Sequence, residues 1–345
     1  MGVNISDNDS TQSPRLFWID AVRSLACLCV LTVHAYVPGG THGAHLVGVI
    51  NYFAVAGASV LFFMISGALV LYKPKPFFPF IKQRLLRIAL PMAIWTIIAL
   101  VIGCCTGMMP WQELPGKIAL IPFAPQYGTF WFIYVVFGIY LIAPILSLWL
   151  NHCSRSELRT ILAIGALALA VPYLKFLDEG IVPAVSLSQG WLYYFNGYLW
   201  LAVMGYYLRR YVNIPRLQWW HVVIVLVLVA LPVCHFLFKM PAVMLQDRLA
   251  INVVLLTCVY FIIIKHIKYS DRMKRIVYNF AQHTFGIYLV HKLVMSFVVL
   301  PLMPPAFNLH YAIVYPLVIS LEVVVCYTIV HLLSKLPGSK YFIGL

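Results

Sequence analysis

The chain has 345 residues, 63% of them hydrophobic and only 10% charged, with a net charge of +14 and a mean hydropathy of +0.91. Soluble globular chains carry about 25% charged residues, so the composition excludes that class and points to a polytopic, all-α integral membrane protein. The basic residues are scattered among apolar runs instead of forming a solvated stripe with interleaved aromatics, which argues against a nucleic-acid partner and leaves the lipid bilayer as the surrounding phase.

Residues 1–15 are polar and read as a disordered tail. The first apolar run, 16–37, has internal charges and no A-x-A cleavage signal, so it is not read as a removed signal peptide. It is long enough to cross a bilayer as a helix of about 20 residues, yet it contains Asp20, Arg23 and His34. An isolated Arg or Asp at the bilayer centre costs about 2.5 to 3.5 kcal/mol, so these groups call for a polar interior to receive them. Arg23 and His34 are eleven residues apart, about 20° from the same helical face and about 16 Å apart along the axis. Asp20 and Arg23, at i and i+3, can pair; the pair reads as a structural ion pair or as functional charge. His34 belongs at the far membrane edge, either as a proton acceptor for a hydroxyl or as an interfacial histidine bonded to a carbonyl. His42 and His45 in the following Gly-rich loop lack a third ligand in register, and no metal site is expected.

The second run, 47–72, contains Ser66-Gly67, a small pair of the kind that lets helices approach closely. Arg84 and Arg87 stand at the head of the third run, 85–107, on a shared face before Pro91; their guanidinium forks suit phosphate, and boundary anchoring is the equal alternative. The connection 107–128, with four prolines, reads as a loop that re-enters the membrane or lies on its surface. Runs at 129–150, 158–175, 191–209, 220–239, 248–266, 282–302 and 311–333 bring the expected total to about ten transmembrane helices. In the ninth, Thr284, Tyr288 and His291 line one face, and the adjacent Lys292 is expected to pair with Glu322 of the tenth. The eight cysteines show no CxxC spacing and read as core residues.

With a cytoplasmic N-terminus, 18 Lys and Arg fall on the inner side and 4 on the outer side: Lys117, Lys175, Lys239 and Arg248. The positive-inside rule then places both termini in the cytoplasm. Residues 16–335 form one membrane domain, with 336–345 as a short cytoplasmic tail.

Several of these residues recur as an ordered set. Trp18-Ile19-Asp20-x-x-Arg23-x-x-Ala26 with His34, Phe62-Phe63-x-Ile65-Ser66-Gly67, Arg84-x-x-Arg87 before Pro91, Trp131-Phe132 with Tyr140 and Pro144, and Tyr288-x-x-His291 together resemble acyltransferase family 3, the integral membrane acyltransferases. Ala68 stands where the family usually has an aromatic residue. In form, a bare membrane domain, the chain looks most like those members that O-acetylate enterobacterial common antigen, a likeness that does not carry the acceptor with it. The resemblance implies a bacterial inner-membrane O-acyltransferase, in the first place an O-acetyltransferase. Such an enzyme takes its acyl group from cytoplasmic acetyl-CoA or another acyl-CoA as co-substrate, without a permanently bound cofactor. The acceptor would be a hydroxyl of a glycan or lipid-linked glycan at the outer face. His34 would be the general base, with Arg23 and Asp20 as further catalytic residues; Arg84, Arg87, Arg23, Ser66, Tyr288 and His291 would attend the acyl-CoA. A transporter or exporter of glycan or glycolipid precursors is the competing class, since ten helices with intramembrane charge suit it too. Acceptor, acyl chain length and oligomeric state stay open at this stage.

Overall fold

The computed structural model describes residues 16–35, 44–171, 192, 195, 197–213, 218–238, 247–302 and 311–344. Residues 1–15, His42 and the His45 side chain lie outside the described residues, as do Lys175, Arg216 and Lys239 from the charge count. All described regular structure is helical: α1 (Phe17–His34), α2 (Ala44–Gly57), α3 (Ser59–Val70), α4 (Phe77–Arg84), α5 (Leu90–Cys105), α6 (Leu114–Leu120), α7 (Trp131–His152), α8 (Arg155–Ala170), α9 (Tyr198–Tyr211), α10 (Trp219–Phe238), α11 (Ile251–His266), α12 (Asp271–Val294), α13 (Tyr311–Ser334) and α14 (Ser339–Ile343).

Among the described residues six helical stretches are long and apolar enough to cross a membrane: Phe17–His34, Val47–Val70, Phe77–Cys105, Gly128–His152, Asp271–Leu302 and Ala312–Ser334. The apolar helices His221–Cys234 and Ile251–His266 are shorter, and the runs expected at 158–175 and 191–209 correspond to α8 and α9, beside residues that are not described. The second run is two helices, α2 and α3, broken at Ala58 (φ −82°, ψ −119°). In the third, a π-turn at Leu85–Ala89 joins α4 to α5, the kind of one-turn irregularity that re-aims side chains at functional sites. The connection 107–128 contains the short helix α6, tied to α7 by the Tyr134 hydroxyl, which donates to the Ile121 carbonyl at 2.5 Å.

Helix α1 is the hub, packing against α2, α3, α11, α12 and α13. Its faces feed separate cores. Ile19, Val22 and Ala26 enter the large cluster with α2, α3, α7, α9 and α11, whereas Cys27 and Leu31 join α12 and α13. Its own hydroxyls are satisfied inside the helix: Ser24 donates to the Asp20 carbonyl at 2.9 Å and Thr32 to the Leu28 carbonyl at 2.9 Å.

The tightest contact is that of α3 with α9, where the helix backbones touch. A Cβ on Gly67 would lie 1.8 Å from the Ala202 carbonyl oxygen, and one on Gly205 would lie 1.9 Å from that of Met64. The close approach expected of the Ser66-Gly67 pair is thus made by Gly67, with Gly205 as its reciprocal partner. Cations cap the ends of this pair. Arg209 donates to the Ala68 carbonyl at 2.6 Å and stacks 3.7 Å from the Tyr72 ring, while Lys265 of α11 donates to the carbonyls of Leu208, Arg209 and Val212 at 3.0, 3.1 and 2.7 Å. The last turn of a helix leaves such carbonyls without intrahelical partners. Helix α14 folds back on the bundle: Trp95 donates to the Phe342 carbonyl at 2.8 Å, Ile343 is buried, and Gly344 takes a left-handed conformation (φ +71°) against the Arg87 carbonyl.

Gly205→Ala should therefore lower stability by about 1–3 kcal/mol through forced separation of α3 and α9. Gly138→Ala, whose added Cβ meets nothing within 4 Å, serves as the control in thermal unfolding of the purified protein. Equal melting temperatures for the two variants would refute the backbone contact.

Candidate active site

The polar residues of α1 sit at its two ends. Asp20 is buried, with Oδ1 at 4.0 Å from Nη1 of Arg23, whose side chain reaches out of the packing into open space. His34, fourteen residues on from Asp20, is about 21 Å away by helix rise, so the structure does not bring the expected catalytic residues Asp20 and His34 together.

What joins the ends is a row of four cavities that share walls. At the Asp20 end a mouth of about 460 Å³ is lined by Arg23, Lys73, Lys75, Arg84 and Arg209, with Asp20 as the one carboxylate. Crowding is visible in Lys75, whose ammonium pKa is pushed below its usual range by burial and then by the neighbouring Arg84. Arg23, Leu69 and Arg84 also line the second cavity, of about 480 Å³, together with Arg87, Ser66, Tyr140 and Gly344. Its other walls mix apolar residues, among them Ile65, Ile88 and Val136, with the polar Gln282 and Thr284.

The second cavity ends at a waist. Phe62, Phe132 and Tyr288 line both it and a third space of only about 30 Å³, into which His34 and Arg248 also face. The rings are close-set, with Phe62 to Phe132 and Phe132 to Tyr288 both 5.8 Å between centroids. The Tyr288 hydroxyl donates to the Thr129 carbonyl, which fixes the ring across the opening. Beyond the waist lies an outer cavity of about 630 Å³, sharing His34, Thr129, Trp131 and Arg248 with the third space and adding Tyr127 and Lys292.

His34 and His291 meet at the waist, their ring centroids 5.2 Å apart, with Tyr288 at 5.6 Å from His291. His291 is fully buried. Its Nδ1 lies 2.6 Å from the Tyr288 carbonyl, which can only accept, so the hydrogen bond assigns the proton to Nδ1 and leaves a lone pair on Nε2. That Nε2 has no hydrogen-bond partner. An imidazole with a free lone pair beside a second imidazole can accept a hydrogen bond from it.

At the other end Arg84 sits 5.0 Å from the Tyr140 ring and 5.2 Å from Phe80, with its Nε buried and unpartnered. The Tyr140 and Ser66 hydroxyls are 3.4 Å apart. Ser66 thus belongs with Arg84 and Tyr140 in the second cavity, away from His34. Tyr288 touches both sides of the waist, and Arg87 is exposed at the rim.

The Lys292–Glu322 pair expected from sequence is not made. Glu322 is fully buried, with neither carboxyl oxygen hydrogen-bonded, among core neighbours that include Cys27 and Cys326. Lys292 turns instead to the outer cavity, where its long stem lets the ammonium reach a wettable space. Arg248 was counted in the sequence only as an outer charge; its signal was a lone cation just ahead of the apolar run that becomes α11.

Tyr288→Phe should cost about 1 kcal/mol by leaving the Thr129 carbonyl unpaired, read as a lowered melting temperature of the purified protein. An unchanged melting temperature would mean that the hydroxyl does not hold the ring.

Residues 16–331 match the profile of acyltransferase family 3, described as an acyltransferase domain. No curated protein and no solved structure matches the chain. The match spans most of the chain, from α1 into α13, and takes in the whole row of cavities apart from Gly344; the chain belongs to acyltransferase family 3, the membrane acyltransferases.

Proposed function

We propose that this membrane acyltransferase is a bacterial inner-membrane O-acyltransferase. It moves an acyl group, acetyl in the first place, from cytoplasmic acyl-CoA to a hydroxyl of a glycan or lipid-linked glycan at the outer face. The observation that carries the proposal is the row of cavities running from a cation-rich mouth to His34 through one narrow waist. The charge bias along the sequence orients the mouth toward the cytoplasm, where CoA resides.

Arg23, Lys73, Lys75, Arg84 and Arg209 line the mouth and would receive the phosphates of CoA, with Arg87 at the rim. The unpartnered Arg84 Nε supports this, since a phosphate oxygen would satisfy it. The second cavity, with apolar walls broken by a few polar groups, suits the pantetheine arm with its two amides, which Arg23 and Ser66 would orient, and brings the thioester to Phe62, Phe132 and Tyr288. On the far side His34 takes the proton of the acceptor hydroxyl as its oxygen attacks the thioester carbonyl. The C–O bond forms, the tetrahedral intermediate collapses, the C–S bond breaks and the CoA thiolate leaves toward the mouth, where it takes a proton from solvent, while His34 releases the hydroxyl proton to solvent on the outer side. His291 positions the His34 ring, and Asp20 holds Arg23. A glycan exporter would need a passage for sugar rings, and a waist of about 30 Å³ between cavities of about 480 and 630 Å³ favours transfer of the acyl group alone.

The test supplies labelled acetyl-CoA and a membrane glycolipid fraction to the purified protein. His34→Ala should reduce label transfer by about 10²- to 10⁴-fold while acetyl-CoA still binds. Arg84→Gln with Arg87→Gln should weaken acetyl-CoA binding at least about tenfold. Equal transfer by His34→Ala would remove it as the base, and unchanged affinity in the folded double variant would return both arginines to membrane anchoring.

A further inference from the structure

The outer cavity holds two cations that the transfer chemistry leaves unused. We propose that the acceptor is anionic, carrying a carboxylate or phosphate close to the hydroxyl that is acylated, and that Arg248 and Lys292 bind that group. This rests on the O-acyltransferase reading and names the substrate class at its outer end.

Arg248 and Lys292 both line the outer cavity with His34, and Arg248 also faces the narrow space at the waist. Both share the outer cavity with His34, the side from which the hydroxyl it would deprotonate must come. Arg248 is pre-set: its guanidinium lies 4.8 Å from the centre of the Trp131 ring and interacts with the Tyr198 hydroxyl, so little freedom is lost when an oxyanion binds its fork.

No carboxylate lines this cavity among the described residues; its polar walls are Tyr127, Thr129 and Ser296, with His34. Asp247, next in sequence to Arg248, is exposed, and its Oδ1 accepts from the Leu249 backbone N–H at 2.9 Å. Glu322 attracts Lys292 from within the core, yet no salt bridge joins them and Lys292 faces the cavity. Two cations on the wall of one half-enclosed space, with no counter-ion there among the described residues, make that space electropositive and complementary to an anion. CoA phosphates do not reach them, being beyond the waist from the mouth. A volume of about 630 Å³ falls within the usual small-ligand range of about 300–1,000 Å³. The anion and the reacting hydroxyl must therefore lie on the same sugar or on adjoining units. A uronic acid supplies a carboxylate in this way, and a lipid-linked sugar supplies a phosphate at its anomeric carbon.

The test measures binding of three probes to the full chain in nanodiscs by saturation-transfer NMR: methyl glucoside, methyl glucuronide and glucose 1-phosphate. At least one charged probe should bind about tenfold more tightly than the glucoside, and the preference should vanish in Arg248→Gln and in Lys292→Gln. Acetyl-CoA affinity, measured on the same variants, reports that they are folded, and Arg248→Lys should retain part of the preference. Preference for the glucuronide assigns the charge to the sugar, and preference for glucose 1-phosphate assigns it to the anomeric phosphate. Equal binding of all three probes, no detectable binding of any, or a preference that survives in both Gln variants would overturn the proposal. If a charged probe binds as expected while acetyl-CoA neither binds nor acylates anything, the anion site stands and the O-acyltransferase reading falls.

Discussion

The direct backbone contact of α3 with α9, through Gly67 and Gly205, is the constraint on which the site depends. Lipid tails are as apolar as leucine side chains, so helices in a bilayer gain little from the hydrophobic effect and hold together by close packing and interhelical hydrogen bonds. With one face of α3 pressed on α9, its other face is fixed as a wall: Phe62, Ile65, Ser66 and Leu69 all line the second cavity. The same joint organises charge. Arg209 reaches the end of α3 and Lys265 closes the end of α9, so Arg209, which borders the mouth, also finishes a helix that helps to form it.

Helix α1 supplies the second half of the arrangement. Its charged and polar positions are not buried in one place; they open into different spaces along a single line. Asp20 remains in the packing, Arg23 enters the mouth and second cavity, and His34 emerges beyond the waist. A helix that buried all three in one pocket would carry a local ion cluster. Spread over about 16 Å between Arg23 and His34, they instead give one extended space a polar group at either end.

Much of this was legible in the sequence. Charges that are costly in hydrocarbon flagged Asp20, Arg23 and His34, and helical spacing put Arg23 and His34 on one line. The i, i+4, i+7 spacing of Thr284, Tyr288 and His291 likewise matches a shared inner face: Thr284 and Tyr288 line the second cavity and His291 meets His34. Other features had no one-dimensional signal. The break at Ala58 comes directly after Gly57, but glycine is common inside transmembrane helices and so marks no boundary by itself, and the π-turn at Leu85–Ala89 leaves hydropathy unchanged. Charge complementarity suggested that Lys292 would seek Glu322, but rotation of one residue past His291 carries the lysine to a wettable cavity, while the carboxyl stays among sulfur and aliphatic neighbours. Arg248 is distant from every motif and comes to His34 only through the tertiary fold.

The waist formed by Phe62, Phe132 and Tyr288 bears on more than the path of the acyl chain. A membrane protein hollowed from both ends risks becoming a leak, because a continuous file of water conducts protons by hopping. Three aromatic rings around a space of about 30 Å³ make the waist the narrowest point that such a file would have to pass, and the Tyr288 hydroxyl is already committed to the Thr129 carbonyl. Such a constriction limits the leak that two chambers set back to back would otherwise open across a bilayer and its electrochemical gradient.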